Sequence, residues 1–513
     1  MGVEQRRPRR GRALGTAVVV LLGAALAGCL PIRPAPPPPL QISTNPALFP
    51  SFSADVIDYV SHCNDSTPAQ VSVTAPTGTT VSVDAQPAKG GSFNTQVTRK
   101  AGQRFTIVAR TASGSSTTYN VRCLDPNFPS WRYQRPGTPQ ADFYVTVACC
   151  GPNGASYPAI FDSNGVPIWW GPETSTPYAM VLPNGDVAWT KSASGFAPGT
   201  GGSGAEEHRL DGSLVRTIKP ATGSSNGDLH ELLQLPNGDY VMAAALLRSN
   251  IDLSSWVVNG HSAPANATIV DYVLQEITAD QQSVVWSWDV NDHVPATETP
   301  QEWRVANPSP ACGCFDPYHF NSIEAAGNNF VASFRNLDGI YRFDPSTGSV
   351  LWKLGGTARP ESLTAQGDSV FTSGGSFSGQ HDARVLADGT VTVHDNGTAP
   401  GRQPRAVRYS IDTTHATATL QNQLTDPLVP GSVCCGSARV LPGGDWVIGW
   451  GGNCCQPNPV TTATELTSGG SRVFLLQFDG ANGSVGAQYR FLPVPSGLLT
   501  RDALRAGLDA EYP

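Results

Sequence analysis

Two short turn motifs alternate over most of the chain, and each leads into a short hydrophobic strand. The first is Leu-Pro-Asn-Gly-Asp or a variant of it, found at Leu182 and Leu235 and around Gly327, Gly389 and Gly444. The second is an Asp-containing turn, and its six copies begin at Phe161, Leu210, Thr278, Phe343, Ile411 and Phe478. A repeat of roughly 40 to 50 residues or more, built from short strands, is typical of propeller blades. Six copies of the second motif predict six blades.

Composition and length support an all-β chain with two domains. Only 14% of the residues are charged, whereas glycine (53) and proline (43) are abundant and helical periodicity is scarce. The 513 residues exceed the roughly 250 to 300 at which a single core stops growing. We therefore predict a six-bladed β-propeller over residues 130–513, preceded by a small β-sandwich over residues 41–126. A strand from Phe143 to Ala148 or the C-terminal segment would close the ring.

The sandwich prediction rests on alternating segments such as Val71–Thr74, Thr80–Val83 and Phe105–Val108, each bounded by turn residues. Its beginning at Pro50–Tyr59 and its end at Thr117–Arg122 resemble bacterial cadherin-like modules. That resemblance implies spacing or adhesion and carries no catalytic residue.

The N-terminus predicts export. Arg6–Arg12 is strongly basic, and the apolar run Ala17–Ala27 is too short to span a bilayer comfortably. Leu26-Ala27-Gly28-Cys29 resembles a bacterial lipobox, so residues 1–28 are expected to be a lipoprotein signal peptide and Cys29 the lipidated residue, with a Pro-rich tether at 29–40. An ordinary secretory signal is the alternative. We expect a protein anchored by lipid at the outer face of the cell membrane, in the cell envelope.

The charge of the mature chain argues against a nucleic-acid partner. The whole chain carries a net charge of −8, and residues 1–28 contain five Arg and one Glu, so their removal leaves about −12. A surface of this sign repels phosphate backbones.

Ten cysteines follow Cys29, an even number that predicts disulfides in an exported chain. We expect Cys63 to pair with Cys123 inside the sandwich. The pairing of the other eight stays open; they are Cys149, Cys150, Cys312, Cys314, Cys434, Cys435, Cys454 and Cys455. A metal site is the weaker interpretation, because adjacent cysteines do not easily share a tetrahedral ion.

Three histidines share one position in the repeat. His230, His319 and His381 each lie eight residues before the turn glycine of the first motif. In a closed ring of blades they would converge on the channel, where each could otherwise be an ordinary hydrogen-bonding residue. Asp228, Asn321 and Arg384 lie within three residues of these histidines, and Arg335 lies in the motif Ser333-Phe-Arg335-Asn-Leu337.

A guanidinium and an amide among neutral imidazoles predict a pocket for an oxyanion such as sulfate, phosphate or carboxylate. The other chemical interpretation is a three-histidine metal site. Arg335 argues against it because a cation would repel the guanidinium, so we predict no metal.

Several motifs, taken in order, resemble the bacterial arylsulfate sulfotransferases, the PAPS-independent β-propeller enzymes. The motifs are Asp228-Leu-His230-Glu with its Leu-Pro-Asn-Gly turn, Tyr318-His319-Phe-Asn321-Ser-Ile, Ser333-Phe-Arg335-Asn-Leu, Ile340-Tyr-Arg-Phe-Asp344, Gln380-His381, His394-Asp-Asn-Gly397 and Gly436-Ser437-Ala-Arg439-Val-Leu-Pro. The resemblance covers roughly residues 130–513.

The resemblance implies ping-pong transfer of a sulfuryl group from an aryl sulfate to a phenol through a sulfohistidine, with no nucleotide or other cofactor. His381 matches the nucleophile, and His230, His319 and Arg335 match the other catalytic residues. The residues expected to bind substrate are Asn321, Asp228, Arg384 and Ser437. The sandwich, the lipid anchor and the paired cysteines depart from the family pattern.

Two rival functions stay open. Phe343–Trp352 looks like the docking motif of quinoprotein dehydrogenases. That motif is clear at only one place in the chain, and a quinoprotein would not explain why His230, His319 and His381 share one position in the repeat. Alternatively, the sandwich and propeller form a non-catalytic surface module that binds glycans or a partner, in which case the histidines would be dispensable.

Overall fold

The computed structural model describes residues 39–149, 151–174, 176–192, 202–221, 227–258, 260–304, 312–452, 460–479 and 489–513. The predicted signal peptide, Cys29 and almost all of the tether lie outside these residues, as do Cys150, Cys454 and Cys455. The described residues contain no helix long and apolar enough to cross a membrane.

The N-terminal strands form two sheets around a common apolar core. Their bounds are β1 Gln41–Asn45, β2 Asp58–Ser61, β3 Ala69–Thr74, β4 Thr79–Val83, β5 Lys89–Gly90, β6 Ser92–Val97, β7 Arg104–Thr111 and β8 Ser116–Cys123. One sheet has the order β1-β3-β6 and the other β2-β8-β7-β4-β5. Alternate residues of β3 and β7, such as Val71 and Ile107, point into the core and are fully buried. A disulfide joins Cys63 to Cys123.

The rest of the chain is propeller-like and nearly all β. Its first strands are β9 Trp131–Gln134, β10 Phe143–Ala148, β11 Tyr157–Asp162, β12 Pro167–Trp170, β13 Ala179–Val181, β14 Val187–Ser192, β15 Gly202–His208, β16 Leu214–Ile218, β17 Leu233–Gln234, β18 Tyr240–Ile251, β19 Val257–Val258, β20 His261–Ser262, β21 Ala267–Ile277 and β22 Val284–Asp289. The remaining strands are β23 Phe320–Ala326, β24 Asn329–Phe334, β25 Gly339–Phe343, β26 Val350–Gly355, β27 Thr364–Gln366, β28 His381–Val385, β29 Val391–Asp395, β30 Arg405–Asp412, β31 Thr417–Leu424, β32 Ser437–Val440, β33 Trp446–Gly449, β34 Val460–Leu466, β35 Arg472–Asp479 and β36 Phe491–Pro493.

In the described residues these strands form six successive sheets, each with an antiparallel set of four strands, and β19 pairs with β20 in a separate two-stranded sheet. The sets are β36-β10-β11-β12, β13-β14-β15-β16, β17-β18-β21-β22, β23-β24-β25-β26, β28-β29-β30-β31 and β32-β33-β34-β35. In two of them an extra strand joins the outer edge, β27 beside β31 and β9 beside β35. The first set joins the C-terminal strand β36 to β10, so the two ends of this region share one sheet. The arrangement is consistent with the predicted all-β, propeller-like fold.

The first turn motif joins the first two strands of its sheet. At Leu182 and Leu235 the leucine N–H donates to the carbonyl four residues on, at 2.8 Å, and the turn glycine donates back at 2.9 Å. The glycines adopt φ of +88° at Gly185 and +91° at Gly238, a region that favours glycine. Because the turn chemistry recurs, it places the preceding residues at equivalent heights in neighbouring sheets.

The second motif joins the third and fourth strands in five of the sheets. In the sheet of β32 to β35 that turn is instead built by Thr467–Ser471, where Gly470 has a φ of +84°. The copy at Phe478 lies at the end of the fourth strand. It is therefore not equivalent to the other five copies.

Helices are few and short except at the C-terminus. They are α1 Val290–His293, α2 Gln301–Arg304, α3 Ser369–Thr372 and α4 Arg501–Glu511, with 3-10 turns at Pro152–Gly154, Ala296–Glu298 and Arg335–Leu337. Thr500 caps α4 by accepting from the Ala503 N–H at 3.1 Å. Arg501 and Arg505 of this helix both bind Asp58 of β2, at 2.9 and 2.7 Å, so the helix ties the sandwich to the propeller-like region.

Candidate active site

His230, His319 and His381, which share one position in the repeat, lie together near the start of the first strand of their respective sheets. His381 opens β28, His319 immediately precedes β23, and His230 precedes β17 by three residues. The ring centroids of His230 and His319 are 5.1 Å apart. Tyr489 packs against two of the rings, 5.5 Å from His230 and 6.1 Å from His381. The shared phase in sequence thus corresponds to one cluster in space.

His381 is buried and held at both ring nitrogens. Its Nδ1 lies 2.9 Å from the Gly379 carbonyl and 2.9 Å from Oδ1 of Asn396. Both partners are acceptors, so Nδ1 carries the proton. Nε2 consequently keeps its lone pair, which accepts from the Cys435 N–H at 3.1 Å. This tautomer presents Nε2 as a nucleophile.

Burial determines the charge of His381. Desolvation, followed by the charge of Arg335, holds the pKa of this imidazole well below its usual value, although the hydrogen bond to Asn396 opposes the shift. His381 is therefore neutral at neutral pH. A neutral imidazole is the form required of a nucleophile.

The other two histidines each bind a nearby carboxylate. Asp228 accepts from both the backbone N–H and Nδ1 of His230 at 2.9 Å. Asp316 does the same for His319, at 2.9 Å from the N–H and 2.6 Å from Nδ1. These bonds place the proton on Nδ1 and leave Nε2 available. For His319, burial outweighs Asp316 and lowers the pKa, so this ring is also neutral at pH 7.

Arg335 supplies positive charge without a carboxylate partner among the described residues. Its guanidinium donates to Oδ1 of Asn336 at 2.8 Å and to the Val433 carbonyl at 3.0 Å, and it lies 4.2 Å over the ring of Trp303. The two neutral oxygen acceptors and the ring of Trp303 hold the guanidinium group in place and do not cancel its charge. The arrangement suits an oxyanion near His381.

Asn321 lies just below the histidines. Its Nδ2 donates to the Gln380 carbonyl at 2.9 Å, next to His381 in sequence. Its Oδ1 is buried and has no hydrogen-bond partner among the described residues. Its carbonyl accepts from Arg490 at 2.7 Å. The amide is thus fixed to the backbone that carries His381.

Arg384 and Ser437, both expected to bind substrate, bind protein groups away from the histidines. Arg384 contacts Asp382, Glu231 and the Ile323 carbonyl. The strand register shifts between His381 and Arg384, where Asp382 has a φ of +56°. This irregularity breaks the alternation that the sequence suggested and turns Arg384 toward a separate cavity of about 410 Å³, which none of the three histidines lines.

Ser437 fastens the ring-closing strand β36. Its hydroxyl donates to the Phe491 carbonyl at 2.9 Å and accepts from the Phe491 N–H at 3.1 Å. Both bonds are to the main chain of one residue. Ser437 therefore holds the fold beside the site.

Four functional residues escaped sequence reasoning: Asp316, Asn396, Tyr489 and the backbone N–H of Cys435. Asp316 could have been found from its spacing, because it precedes His319 much as Asp228 precedes His230. Asn396 was within the His394–Gly397 motif but had no role assigned. Tyr489 and Cys435 reach the site only through the closed ring, which leaves no local pattern.

The cysteine pairs lie in different surroundings. A disulfide joins Cys312 to Cys314. The Sγ atoms of Cys434 and Cys435 are 3.0 Å apart, beside His381. No group of three or more His, Cys, Asp or Glu in the described ranges could hold a metal ion.

His394, opposite His381 in the strand register, is a buried imidazole with an unusual environment. Neither of its nitrogens has a hydrogen-bond partner among the described residues, and burial lowers its pKa to about 4. A Cβ on Gly436 would lie only 2.2 Å from this ring, so the backbone packs directly on it.

We expect His394→Leu to flatten the dependence of stability on pH. In the wild type His394 takes up a proton near pH 6.5 in the unfolded chain but only near pH 4 in the folded chain. Neutral His394 therefore costs the folded protein no stability above pH 6.5, and the free energy of unfolding falls as the pH drops from 6.5 to 4. The loss from one group is about 1.4 kcal/mol per pH unit. Urea unfolding of the variant from pH 7 to pH 4 should show a slope shallower by that amount.

At pH 7 the His394→Leu variant should be at least as stable as the wild type, because leucine leaves no unpaired polar atom. The exposed His415 is the matched control, and His415→Leu should leave the slope unchanged. A slope in His394→Leu equal to that of the wild type would contradict the buried neutral state.

Together the fold and site define a propeller-like protein with three clustered histidines and an arginine that has no carboxylate hydrogen-bond partner among the described residues. The model of the arylsulfotransferase (ASST) family matches residues 182–455, more than half of the chain. The chain belongs to this family. The matched segment contains the three histidines, Arg335 and Asn396, which lie in the motifs that resemble it.

Two solved structures that the chain resembles share little sequence identity with it. One is a putative 6-phosphogluconolactonase from Bacteroides fragilis, at 10% identity and a TM-score of 0.30, covering 81% of this chain and 97% of that one. Another is a periplasmic gluconolactonase from Pseudomonas aeruginosa, at 14% identity and a TM-score of 0.35, covering 76% of this chain and 95% of that one. A search of curated proteins found no significant match.

Proposed function

We propose that this protein transfers a sulfuryl group from an aryl sulfate to a phenol through a sulfohistidine at His381. Membership of the arylsulfotransferase family supports the general activity. The observation that carries the mechanism is the neutral, buried His381, with its proton held on Nδ1, its Nε2 accepting from the Cys435 N–H, and Arg335 close enough for its charge to lower the pKa of the ring.

In the first half-reaction Nε2 of His381 attacks sulfur. The N–S bond forms as the bond between sulfur and the aryl oxygen breaks, and that oxygen leaves with the bonding electrons as a phenolate. Charge builds up on the sulfuryl and leaving oxygens in the transition state. The Arg335 guanidinium is the cation available to stabilise it, and it is held in place beforehand by Trp303 and the Val433 carbonyl.

In the second half-reaction a phenol attacks the sulfohistidine. The phenolic proton passes to Nε2 of His319 or His230, whose Nδ1 atoms are already bound to Asp316 and Asp228. The N–S bond breaks and its electrons return to His381. The His319 or His230 that captured the phenolic proton then loses it to solvent or to the phenolate released in the first half-reaction, so that the cycle balances without a nucleotide.

The test is formation of the covalent intermediate. Protein mixed with 4-nitrophenyl sulfate and no acceptor should release one equivalent of 4-nitrophenol per active site in a burst and gain the mass of one SO3 group. Peptide mapping should place the group on the fragment containing His381. Subsequent addition of a phenol should remove it and yield the aryl sulfate of that phenol. An adduct on another residue, or transfer without any adduct, would overturn the mechanism.

A further inference from the structure

Asn396 bonds one edge of the His381 ring directly and is connected to the opposite edge through the main chain of Cys435. It follows the last residue of β29 and is fully buried. Its Oδ1 lies 2.9 Å from Nδ1 of His381, and its Nδ2 donates to Oγ of Ser432 at 2.7 Å and to the Cys435 carbonyl at 2.9 Å. The amide orientation is fixed, because the Cys435 carbonyl can only accept.

The contact with Cys435 matters because the same residue bonds the opposite nitrogen of the ring. The Cys435 N–H donates to Nε2 of His381 at 3.1 Å. One side chain therefore shares with the Gly379 carbonyl the restraint on the Nδ1 proton and also restrains the Cys435 main chain, which supplies the donor at Nε2. The two effects lie on opposite edges of one imidazole.

The loop that carries this donor has a demanding conformation. Cys435 has a φ of +66° and Gly436 a φ of +109°. A side chain at Gly436 would collide with His394, as noted above, and would also lie 3.0 Å from the Gly449 carbonyl. Consecutive positive φ values are costly for a residue such as cysteine, so the surroundings must hold them. The bond from Asn396 to the Cys435 carbonyl is one such restraint.

We propose that Asn396 is a positioning residue for sulfuryl transfer. It keeps the proton of His381 on Nδ1 so that Nε2 is the nucleophile, and it directs the Cys435 N–H toward the atom that receives the sulfuryl group. Once Nε2 is bonded to sulfur it has no lone pair for this N–H, which then donates to a sulfuryl oxygen. The proposal rests on the proposed function of His381.

The chemistry favours a donor in this place. Negative charge on the sulfuryl oxygens changes during bond making and breaking, and the Cys435 N–H, which turns from Nε2 to a sulfuryl oxygen as the N–S bond forms, stabilises that charge in a buried site. Loss of one such donor costs on the order of 10²-fold to 10³-fold in turnover in other enzymes. Loss of the tautomer restraint would add to this cost.

The experiment compares three variants of the full chain. In Asn396→Ala both restraints are lost, and kcat should fall by about 10²-fold or more with KM changed only a few-fold, since the substrate contacts remain. Asn396→Asp keeps an acceptor at Nδ1 but adds a negative charge. It should raise the pKa of His381 and move the acid limb of the kcat/KM profile to higher pH. Ser432→Ala removes only one bond to Nδ2 and should cost less than about 10-fold.

A second measurement separates positioning from general damage to the fold. Nitrogen-15 NMR of labelled histidines should show one His381 tautomer, protonated on Nδ1, in the wild type and in Ser432→Ala. Because the Gly379 carbonyl still accepts at Nδ1, Asn396→Ala should show a smaller Nδ1-protonated fraction of His381 than the wild type. Thermal unfolding of each variant establishes that the protein measured is folded.

The outcomes separate the two proposals. If the wild type forms the adduct while Asn396→Ala transfers at the wild-type rate with an unchanged tautomer, Asn396 has no positioning role. An Asn396→Asp variant with an unmoved acid limb counts against it equally. If the wild type forms no adduct, the proposed function is overturned, and the tautomer spectra alone then decide whether Asn396 fixes the proton on Nδ1.

Discussion

Replacing His381 with asparagine is expected to lower the rate of sulfuryl transfer by about 10⁴-fold or more. Asparagine can still reach the Gly379 carbonyl and Asn396, but it has no lone pair able to attack sulfur. Removal of the nucleophile from an enzyme that works through a covalent intermediate costs this much, because the remaining groups have no bond-forming role. The burst of 4-nitrophenol and the SO3 adduct should both disappear.

The control for this loss is His415→Asn. His415 is exposed and binds Asp412 at 2.7 Å on the surface, so the same substitution there should leave the rate and the burst unchanged. Both variants should unfold cooperatively at similar temperatures. A burst of wild-type size in His381→Asn would exclude His381 as the nucleophile and direct attention to His230 or His319.

The histidine cluster could be predicted from sequence because turn chemistry is local. Each Leu-Pro-Asn-Gly turn requires a positive φ at its glycine, and that requirement fixes where the hairpin falls in its sheet. Residues a constant distance before the turn then reach equivalent positions. His230, His319 and His381 follow this rule, and so their convergence needs no knowledge of the packing.

The partners of those histidines could not be predicted in the same way. Asn396 approaches His381 from the neighbouring strand of its sheet, and Tyr489 arrives from beside the ring-closing strand. The position of Arg384, which lines a separate cavity, could not be predicted for a different reason. The left-handed Asp382 shifts the register after His381, and a shift of one residue moves a side chain to the other face of its strand.

Asp382 itself is the residue whose loss should destabilise the protein most. It is fully buried, and its carboxylate accepts from Arg384 at 2.8 Å, from Arg439 at 2.8 and 2.9 Å and from the Ala438 N–H at 3.1 Å. The three arginines around it, with Arg490 3.5 Å away, hold its pKa well below the usual range. Glu231 is the second buried carboxylate of this cluster.

We expect Asp382→Asn to lower the free energy of unfolding at pH 7 by about 3 to 5 kcal/mol. Asparagine tolerates the positive φ and keeps the size of the side chain, so the cost is electrostatic. Arg439 then loses its carboxylate partner, and the new NH2 group is directed at donors. Glu231 remains the buried carboxylate bound to Arg384 and Arg490. Urea unfolding measures the difference, with an unchanged m-value as evidence that the unfolded states are comparable.

Glu324→Gln is the matched control, because Glu324 lies at the partly exposed edge of the same cluster, 3.4 Å from Arg384. Its loss should cost less than about 1 kcal/mol. Equal effects of the two variants would contradict a buried network centred on Asp382.

The pH dependence of the free energy of unfolding tests the contribution of Asp382 in a second way. The pKa of Asp382 is lowered in the folded state, so its stabilisation is present above the ordinary carboxylate pKa and is lost as the pH falls below it. The wild type should therefore lose its advantage over Asp382→Asn in acid.

Since Arg490 of this cluster also binds the Asn321 carbonyl at 2.7 Å, weakening the network should loosen the backbone that carries His381. Asp382→Asn should consequently slow sulfuryl transfer even under conditions in which the variant remains folded.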